Sequence, residues 1–308
     1  MSTSSPRNPE KKSQDLISVS QRSKLASSKG PCAKNRPKVL DYNDIDLASW
    51  RDYPDIETDS LWLFSGRSRN NGHQLDYHGN CIPQILTQLL QRYTKAGDTV
   101  LDMFLGSGTS AIEALNMNRK AIGIELNPEM VKAVESKIKK QFSKKQASQA
   151  QLIVGNSADD QTIRRPIEGA LRKNNHQHAQ FLFLHPPYDD IISFSDSDKD
   201  LSNAGNTDAF LSAFKQVCQT GYDLLAPGRF ATLVIGDKYH AGQLIPLGFY
   251  CMQQLNAVGF VNKSIIVKNI TGNEKGKGKT GNLWRYRALR GGFYIFKHEY
   301  IFVFQKPA

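Results

Sequence analysis

Cysteine is scarce in this chain of 308 residues: four occur, Cys32, Cys81, Cys218 and Cys251, and no two form a Cys-x-x-Cys pair. That spacing supports neither a zinc site nor a disulfide framework, so no metal is expected and a reducing compartment is the simpler setting. Long apolar runs are missing as well. No segment approaches the roughly 18 apolar residues that span a bilayer, and the polar, basic N-terminus has no stretch resembling a secretory signal. A soluble, cytoplasmic chain with no membrane partner is expected. Acid is also in short supply, with 29 Asp/Glu against 40 Lys/Arg and a formal net charge of +11. This suggests a polyanionic partner, although charge governs association rather than fold. Much of the excess lies in residues 1–38, which hold nine Lys/Arg against two acids. Rich in Ser, Lys, Arg and Pro, this tail cannot bury enough surface to offset its ordering entropy and is expected to be disordered. It serves either as an arm on phosphates or as a solubilising tail.

Beyond the tail the chain has regular patterning and no internal repeat. Residues 39–75, with Trp50, Trp62 and Phe64, read as an ordered lead-in, because tryptophan is seldom fully exposed. Pro83 suits the first position of a helix to about Tyr93, with Ile82, Ile85, Leu86, Leu89 and Leu90 on one face. Strands at Thr99–Asp102, Ala121–Glu125, Gln151–Gly155, Gln180–Leu184 and Arg229–Ile235 alternate with helices. Ala226-Pro227-Gly228 reads as the turn before the last of these. Ser264–Val267 and Tyr300–Phe304 are expected to pair as an antiparallel edge. The alternation predicts an α/β fold: a mostly parallel, seven-stranded sheet with an antiparallel edge strand and helices on both faces.

Two strand ends carry the chemistry. The first leads into Asp102-Met103-Phe104-Leu105-Gly106-Ser107-Gly108-Thr109. Ligands of open α/β sheets bind outside the carboxyl ends of the strands, and glycine permits both a sharp turn and close approach of a ligand. Glu125, closing the next strand, can accept hydrogen bonds from both hydroxyls of a ribose, and Asn156 after the third strand can bond an adenine. Gly106-Ser107-Gly108-Thr109-Ser110-Ala111 also satisfies the dinucleotide pattern G-x-G-x-x-A. However, Asp102 ends its strand four residues before the first glycine, a position suited to an amino group, and a dehydrogenase leaves the second motif without a role.

The second motif is His185-Pro186-Pro187-Tyr188, after the apolar run Phe181–Leu184. Two prolines fix φ and remove two backbone donors, so the carbonyls of His185 and Pro186 have no local partner and can accept from an exocyclic amine. Tyr188 can stack on a planar base taken out of its duplex. A rigid loop with a half-buried tyrosine is the plainer alternative. There is no Ser/His/Asp triad. Pro31-Cys32 lies in the tail, which argues against a cysteine nucleophile for carbon methylation.

Together these motifs resemble the DNA amino-methyltransferases, which modify adenine N6 or cytosine N4. Asp102-x-Phe104-x-Gly106-Ser107-Gly108-Thr109 is similar to their cofactor motif, and Tyr77-His78-Gly79-Asn80-x-x-Pro83 to the segment closing over the cofactor's methionine part. Arg119-x-x-x-Gly123-Ile124-Glu125-Leu126-Asn127-Pro128 is similar too, and His185-Pro186-Pro187-Tyr188 stands where the family has its catalytic (Asp/Asn/Ser)-Pro-Pro-(Tyr/Phe). The resemblance spans roughly residues 60–308 and implies a Rossmann-like methyltransferase domain over 76–308. It further implies S-adenosylmethionine as cofactor, held by Tyr77, His78, Asn80, Asp102, Phe104, Gly106, Ser107, Gly108, Thr109, Glu125, Leu126 and Asn156. The implied partner is double-stranded DNA with a flipped target base. Chemistry would fall to His185, Pro186, Pro187 and Tyr188. His185 departs from the family's usual side chain and leaves the target base, adenine or cytosine, open. Alignment of nucleophile, methyl carbon and sulfur supplies much of the acceleration of such a transfer.

A basic, glycine-rich, aromatic stretch at about 268–292 is expected to be a flexible DNA-contacting loop, with Lys275, Lys277, Lys279, Trp284, Arg285 and Arg287 on phosphates and bases. A solvated hairpin is the plainer reading. Asp189–Asn206 reads as a lid or a loop. An RNA- or protein-glutamine-directed enzyme, or an inactive nucleic-acid-binding relative, are the alternative functions.

Overall fold

The computed structural model describes residues 40–68, 81–188, 201–270 and 281–308. The lead-in turns through a short 3-10 helix, Leu47–Asp52, capped by the Asp46 side chain, into strand β1 (Leu61–Trp62). Pro83 opens helix α1 (Pro83–Tyr93), which buries Ile85, Leu86, Leu89 and Leu90 on one face. Then come β2 (Thr99–Asp102), α2 (Thr109–Asn116), β3 (Lys120–Glu125) and α3 (Pro128–Gln141). Helix α3 starts where it does because the Asn127 side chain accepts from the amides of Glu129 and Met130, while Pro128 needs no partner at N1. A short α4 (Lys144–Ala147) leads to β4 (Ala150–Val154), α5 (Asp160–Lys173) and β5 (Ala179–Leu184). Asn206 caps α6 (Thr207–Leu224), which runs into β6 (Leu225–Ile235). The hairpin β7 (Lys238–His240) and β8 (Gln243–Ile245) precedes α7 (Leu247–Ala257), β9 (Val261–Asn269), α8 (Gly281–Gly291) and β10 (His298–Gln305).

Eight strands form one sheet in the order β1-β9-β10-β6-β5-β2-β3-β4. Strands β2 to β6 are mutually parallel, and β10 runs antiparallel to both β6 and β9. Side chains alternate between two apolar layers, as the period of two requires. Leu101, Leu182 and Leu184 meet α5, α6 and α7 on one face. Val100, Phe181 and Phe183 meet α1, α2 and α3 on the other. Covering both faces of a parallel sheet gives the three-layer architecture that near-continuous apolar strands imply.

Several expectations are corrected. The sheet has eight strands rather than seven, because the two-residue β1 adds beside β9. The expected antiparallel pairing of Ser264–Val267 with Tyr300–Phe304 is present, with only the two-residue β1 beyond β9. Ala226-Pro227-Gly228 does not turn the chain. Gly228, with φ of 75°, is absorbed within β6, where the pairing with β5 slips register. Trp62 is buried, but Trp50 is exposed and stacks under Arg51. The expected loop at 268–292 is not a loop where it is described: β9 runs through Lys268 to Asn269, and 281–291 are helical. The tail 1–38, the segment with Tyr77, His78 and Asn80, residues 189–200 of the expected lid, and Lys275, Lys277 and Lys279 lie outside the described residues. No described helix is long and apolar enough to cross a membrane.

Candidate active site at the switch point of the sheet

Strand order reverses between β2 and β5: β3 and β4 follow on one side of β2, β6 on the other side of β5. At such a point the outgoing loops diverge and leave a crevice above the carboxyl ends. The two strands are hydrogen-bonded neighbours, with Asp102 opposite Phe183 and the Met103 amide donating to the Phe183 carbonyl. The glycine turn and His185-Pro186-Pro187-Tyr188 therefore leave the sheet side by side.

The glycine turn is tied down from within. Gly106 and Gly108 have φ of 50° and 81°, left-handed values that cost an L side chain about 1–2 kcal/mol. A Cβ at Gly108 would also strike Val134 of α3. Asp102 accepts from the Phe104 amide at 2.8 Å and from the Ser110 hydroxyl. Glu125 accepts from the Gly106 amide at 2.9 Å and the Asn127 amide at 2.9 Å. Burial pushes the Asp102 carboxyl up to about 7, against the two hydrogen bonds it receives, and the charge of Glu125 adds to the rise. Ser107 and Thr109 are buried, Phe104 packs partly on the core, and Leu126 is half-buried beside Glu125. The Asn156 carbonyl accepts from the Ala158 amide at 3.0 Å, which leaves its NH2 available.

This set of groups fits a nucleoside cofactor carrying positive charge. The left-handed glycines strip side chains from the turn, and two carboxylates that repel one another stand at adjacent strand ends. A cation and ribose hydroxyls between them would relieve that repulsion.

Of the second motif, Tyr188 packs against the apolar layer beneath α5, α6 and α7. Removal from water lowers the His185 pKa; Glu299 opposes this and Lys268 reinforces it, so the imidazole is neutral at pH 7. The Tyr188 ring meets His185 edge-on, with centroids 5.9 Å apart. It lies over Gly236, where a Cβ would sit 3.1 Å from Tyr188 Cε2. Its hydroxyl donates to Glu299 Oε2 at 2.7 Å. Burial raises the Tyr188 pKa well above its ordinary value; the charge of Glu299 and this bond raise it further, against a hydrogen bond from the Gly236 backbone.

Glu299 and Lys268 escaped the sequence reading. Lys268, at the start of the stretch expected to be a loop, is buried on β9 directly opposite Glu299, with Nζ 2.8 Å from Oε1. The signal was available: two residues after buried Ile266, Lys268 occupies an inward position of an apolar strand. Burial also pushes the thiols of Cys81 and Cys218 well up, making them poor nucleophiles. Among the described residues no cluster of His, Cys, Asp or Glu could hold a metal ion.

Of the expected nucleic-acid residues, Trp284, Arg285 and Arg287 share helix α8, which carries no acid. Arg287 lies over the Trp284 ring at 5.4 Å, while Arg285 and Tyr286 are exposed.

Comparison with known proteins bears on this site. Residues 5–136 match the DNA methylase family, and residues 82–196 match a family described as conserved hypothetical protein 95. The type II methyltransferase M.BglI of Bacillus subtilis is 36% identical over 93 residues, 30% of this chain and 25% of that protein. The type II methyltransferase M.XycI of Xanthomonas campestris pv. cyanopsidis is 39% identical over 61 residues, 20% of each chain. The matched segments thus span a quarter or less of these curated relatives. Among solved structures, TrmN from Thermus thermophilus aligns over 74% of this chain and 50% of its own at 15% identity, with a TM-score of 0.45. The family model and these relatives are DNA methyltransferases, each matched by part of this chain.

Proposed function

We propose that this chain, matched over residues 5–136 to the DNA methylase family, transfers a methyl group from S-adenosylmethionine to an exocyclic amine of a DNA base, N6 of adenine or N4 of cytosine. The observation that carries the reading is the pairing of β2 with β5, whose adjacent ends lead into the glycine turn and into His185-Pro186-Pro187-Tyr188.

Asp102, Glu125 and the turn Gly106–Thr109 would hold the cofactor, with Asn156 on its adenine and Phe104 and Leu126 lining it; Tyr77, His78 and Asn80 would close the methionine end. Bound there, S-adenosylmethionine supplies an electrophilic methyl on a sulfonium whose departure needs no acid. The chain's own residues then have to align the amine and take its proton. The His185 and Pro186 carbonyls, left without local donors by Pro186 and Pro187, accept from the amine and fix its direction. The neutral His185 imidazole offers one acceptor nitrogen to the second amine hydrogen, the service that Asp, Asn or Ser gives in the family. Tyr188 stacks on the flipped base, offsetting part of the few kcal/mol that unstacking costs. Helix α8, through Trp284, Arg285 and Arg287, and the neighbouring Lys275, Lys277 and Lys279 would hold the duplex by its phosphates.

The test is incubation with unmethylated genomic DNA and methyl-labelled S-adenosylmethionine, followed by mass spectrometry of the nucleosides. N6-methyladenine or N4-methylcytosine is expected, with turnover at saturating S-adenosylmethionine falling on acidification only below pH 6.5, since the His185 pKa is lowered from that value. A protein that binds cofactor but leaves DNA unmethylated would overturn the reading in favour of an RNA or protein substrate.

A further inference from the structure

The Lys268–Glu299 pair has no evident use in holding the fold together. Its side chains are only 5% and 12% exposed. Burying two charges costs several kcal/mol per ion, and well-packed apolar residues of similar volume usually serve stability equally well or better. The pair also lies on adjacent strands in direct register, so the backbone ladder alone would keep β9 and β10 together. What distinguishes it is its third member. Lys268 engages Oε1 of Glu299, and the other oxygen, Oε2, accepts from the Tyr188 hydroxyl. Glu299 sits on β10, two strands from the β5 end that carries Tyr188. Between them, at the end of β6, Gly236 lacks the Cβ that would press on the Tyr188 ring.

We infer that Glu299 is a positioning residue for Tyr188, and that Lys268 is its buried counter-ion on the neighbouring strand. The inference rests on the methyltransferase reading, in which the plane of the Tyr188 ring sets where the target base comes to rest. The two prolines fix the backbone before Tyr188 but leave its χ1 and χ2 free. The bond to Glu299 removes that freedom at the far end of the side chain. A slack ring would misplace the amine relative to the methyl carbon, and misplacement by about 1 Å costs turnover on the order of a hundredfold.

Two double variants separate tethering from ion-pair stability. Glu299→Gln with Lys268→Met removes both charges and keeps an acceptor for Tyr188. Glu299→Leu with Lys268→Met removes both charges and the acceptor, and fills the space. Turnover, KM for DNA and calorimetric affinity for S-adenosylmethionine are measured on the full chain. The same proteins are labelled with 3-fluorotyrosine, the Tyr188 fluorine resonance being assigned by its loss in Tyr188→Phe. The Leu double variant is expected to lose kcat roughly ten- to hundredfold with cofactor affinity unchanged, and to shift the Tyr188 resonance. The Gln variant should stay within a few-fold of the parent and keep the resonance in place. Equal turnover in the two doubles, or a fall in cofactor affinity matching the fall in kcat, would overturn the inference. If either double fails to fold, Tyr188→Phe deletes the same bond and should reproduce the kcat loss alone. A parent protein inactive on DNA would refute the substrate reading. The fluorine spectra would still decide the tether, and an unmoved resonance in the Leu variant would refute it.

Discussion

Asp102 offers the sharpest quantitative test of the site. Its carboxyl is pushed up to about 7 in the folded chain by burial and by Glu125, against about 3.9 for an unperturbed Asp. Between those values the folded state holds a proton that the unfolded state has lost. Stability from this group is therefore fully present below about pH 4 and is lost as pH rises through 7. The gap is about three units, which at 1.36 kcal/mol per unit amounts to about 4 kcal/mol. Asp102→Asn should abolish that slope. The amide oxygen can still accept from the Phe104 amide, and its NH2 can donate to the Ser110 hydroxyl, which rotates to accept. Denaturant melts of both proteins without cofactor, from pH 4 to pH 8.5, should give curves that diverge, the variant gaining on the parent by up to about 4 kcal/mol toward alkaline pH. Affinity for S-adenosylmethionine should move in the opposite sense. It should rise with pH through 7 in the parent, as the carboxylate forms to meet the ammonium, and stay low and flat in Asp102→Asn. Parallel stability curves would refute the raised pKa. A pH-dependent affinity that survives the substitution would refute the role of Asp102 toward the cofactor.

Two further tests probe the turn and the helix. Gly108→Ala combines a left-handed φ of 81°, costing about 1–2 kcal/mol, with overpacking against Val134 of about 1–3 kcal/mol. A measured loss of roughly 2–5 kcal/mol with weakened cofactor binding is expected, and an unstrained variant with unchanged affinity would show that the turn is not a cradle. Replacing Arg285 or Arg287 of α8 with Ala should weaken DNA binding across sequences and lower the slope of log K against log salt by about 1 each; an unchanged slope would remove α8 from the interface.

The residues of the crevice were readable one by one because each motif is a local solution to a local demand. Glycine after Leu105 answers a left-handed backbone, two prolines answer a loop that must not donate, and Pro128 after Asn127 answers a helix start. The α8 segment misled because glycines at 272, 276, 278 and 281 suggest flexibility, whereas the run Leu283–Arg290 contains no breaker and closes a helix of its own. The lysine at 268 misled for a different reason. Charge normally marks solvent, and only the period of the strand, counted from Ile266, indicated that this one points inward.

By itself the sequence determined the alternation of strands and helices, the two shaped strand ends and the chemistry each can do, because backbone propensity and side-chain type act within a few residues. Tertiary structure decided the rest. Register and strand order cannot be deduced from elements alone, so only the assembled sheet put Asp102 opposite Phe183 and added β1 beyond β9. For the same reason Glu299, 111 residues from Tyr188 along the chain, became its hydrogen-bond partner. Burial, which sets the protonation of Asp102 and His185, is likewise a property of what packs around a group and not of the group's neighbours in sequence.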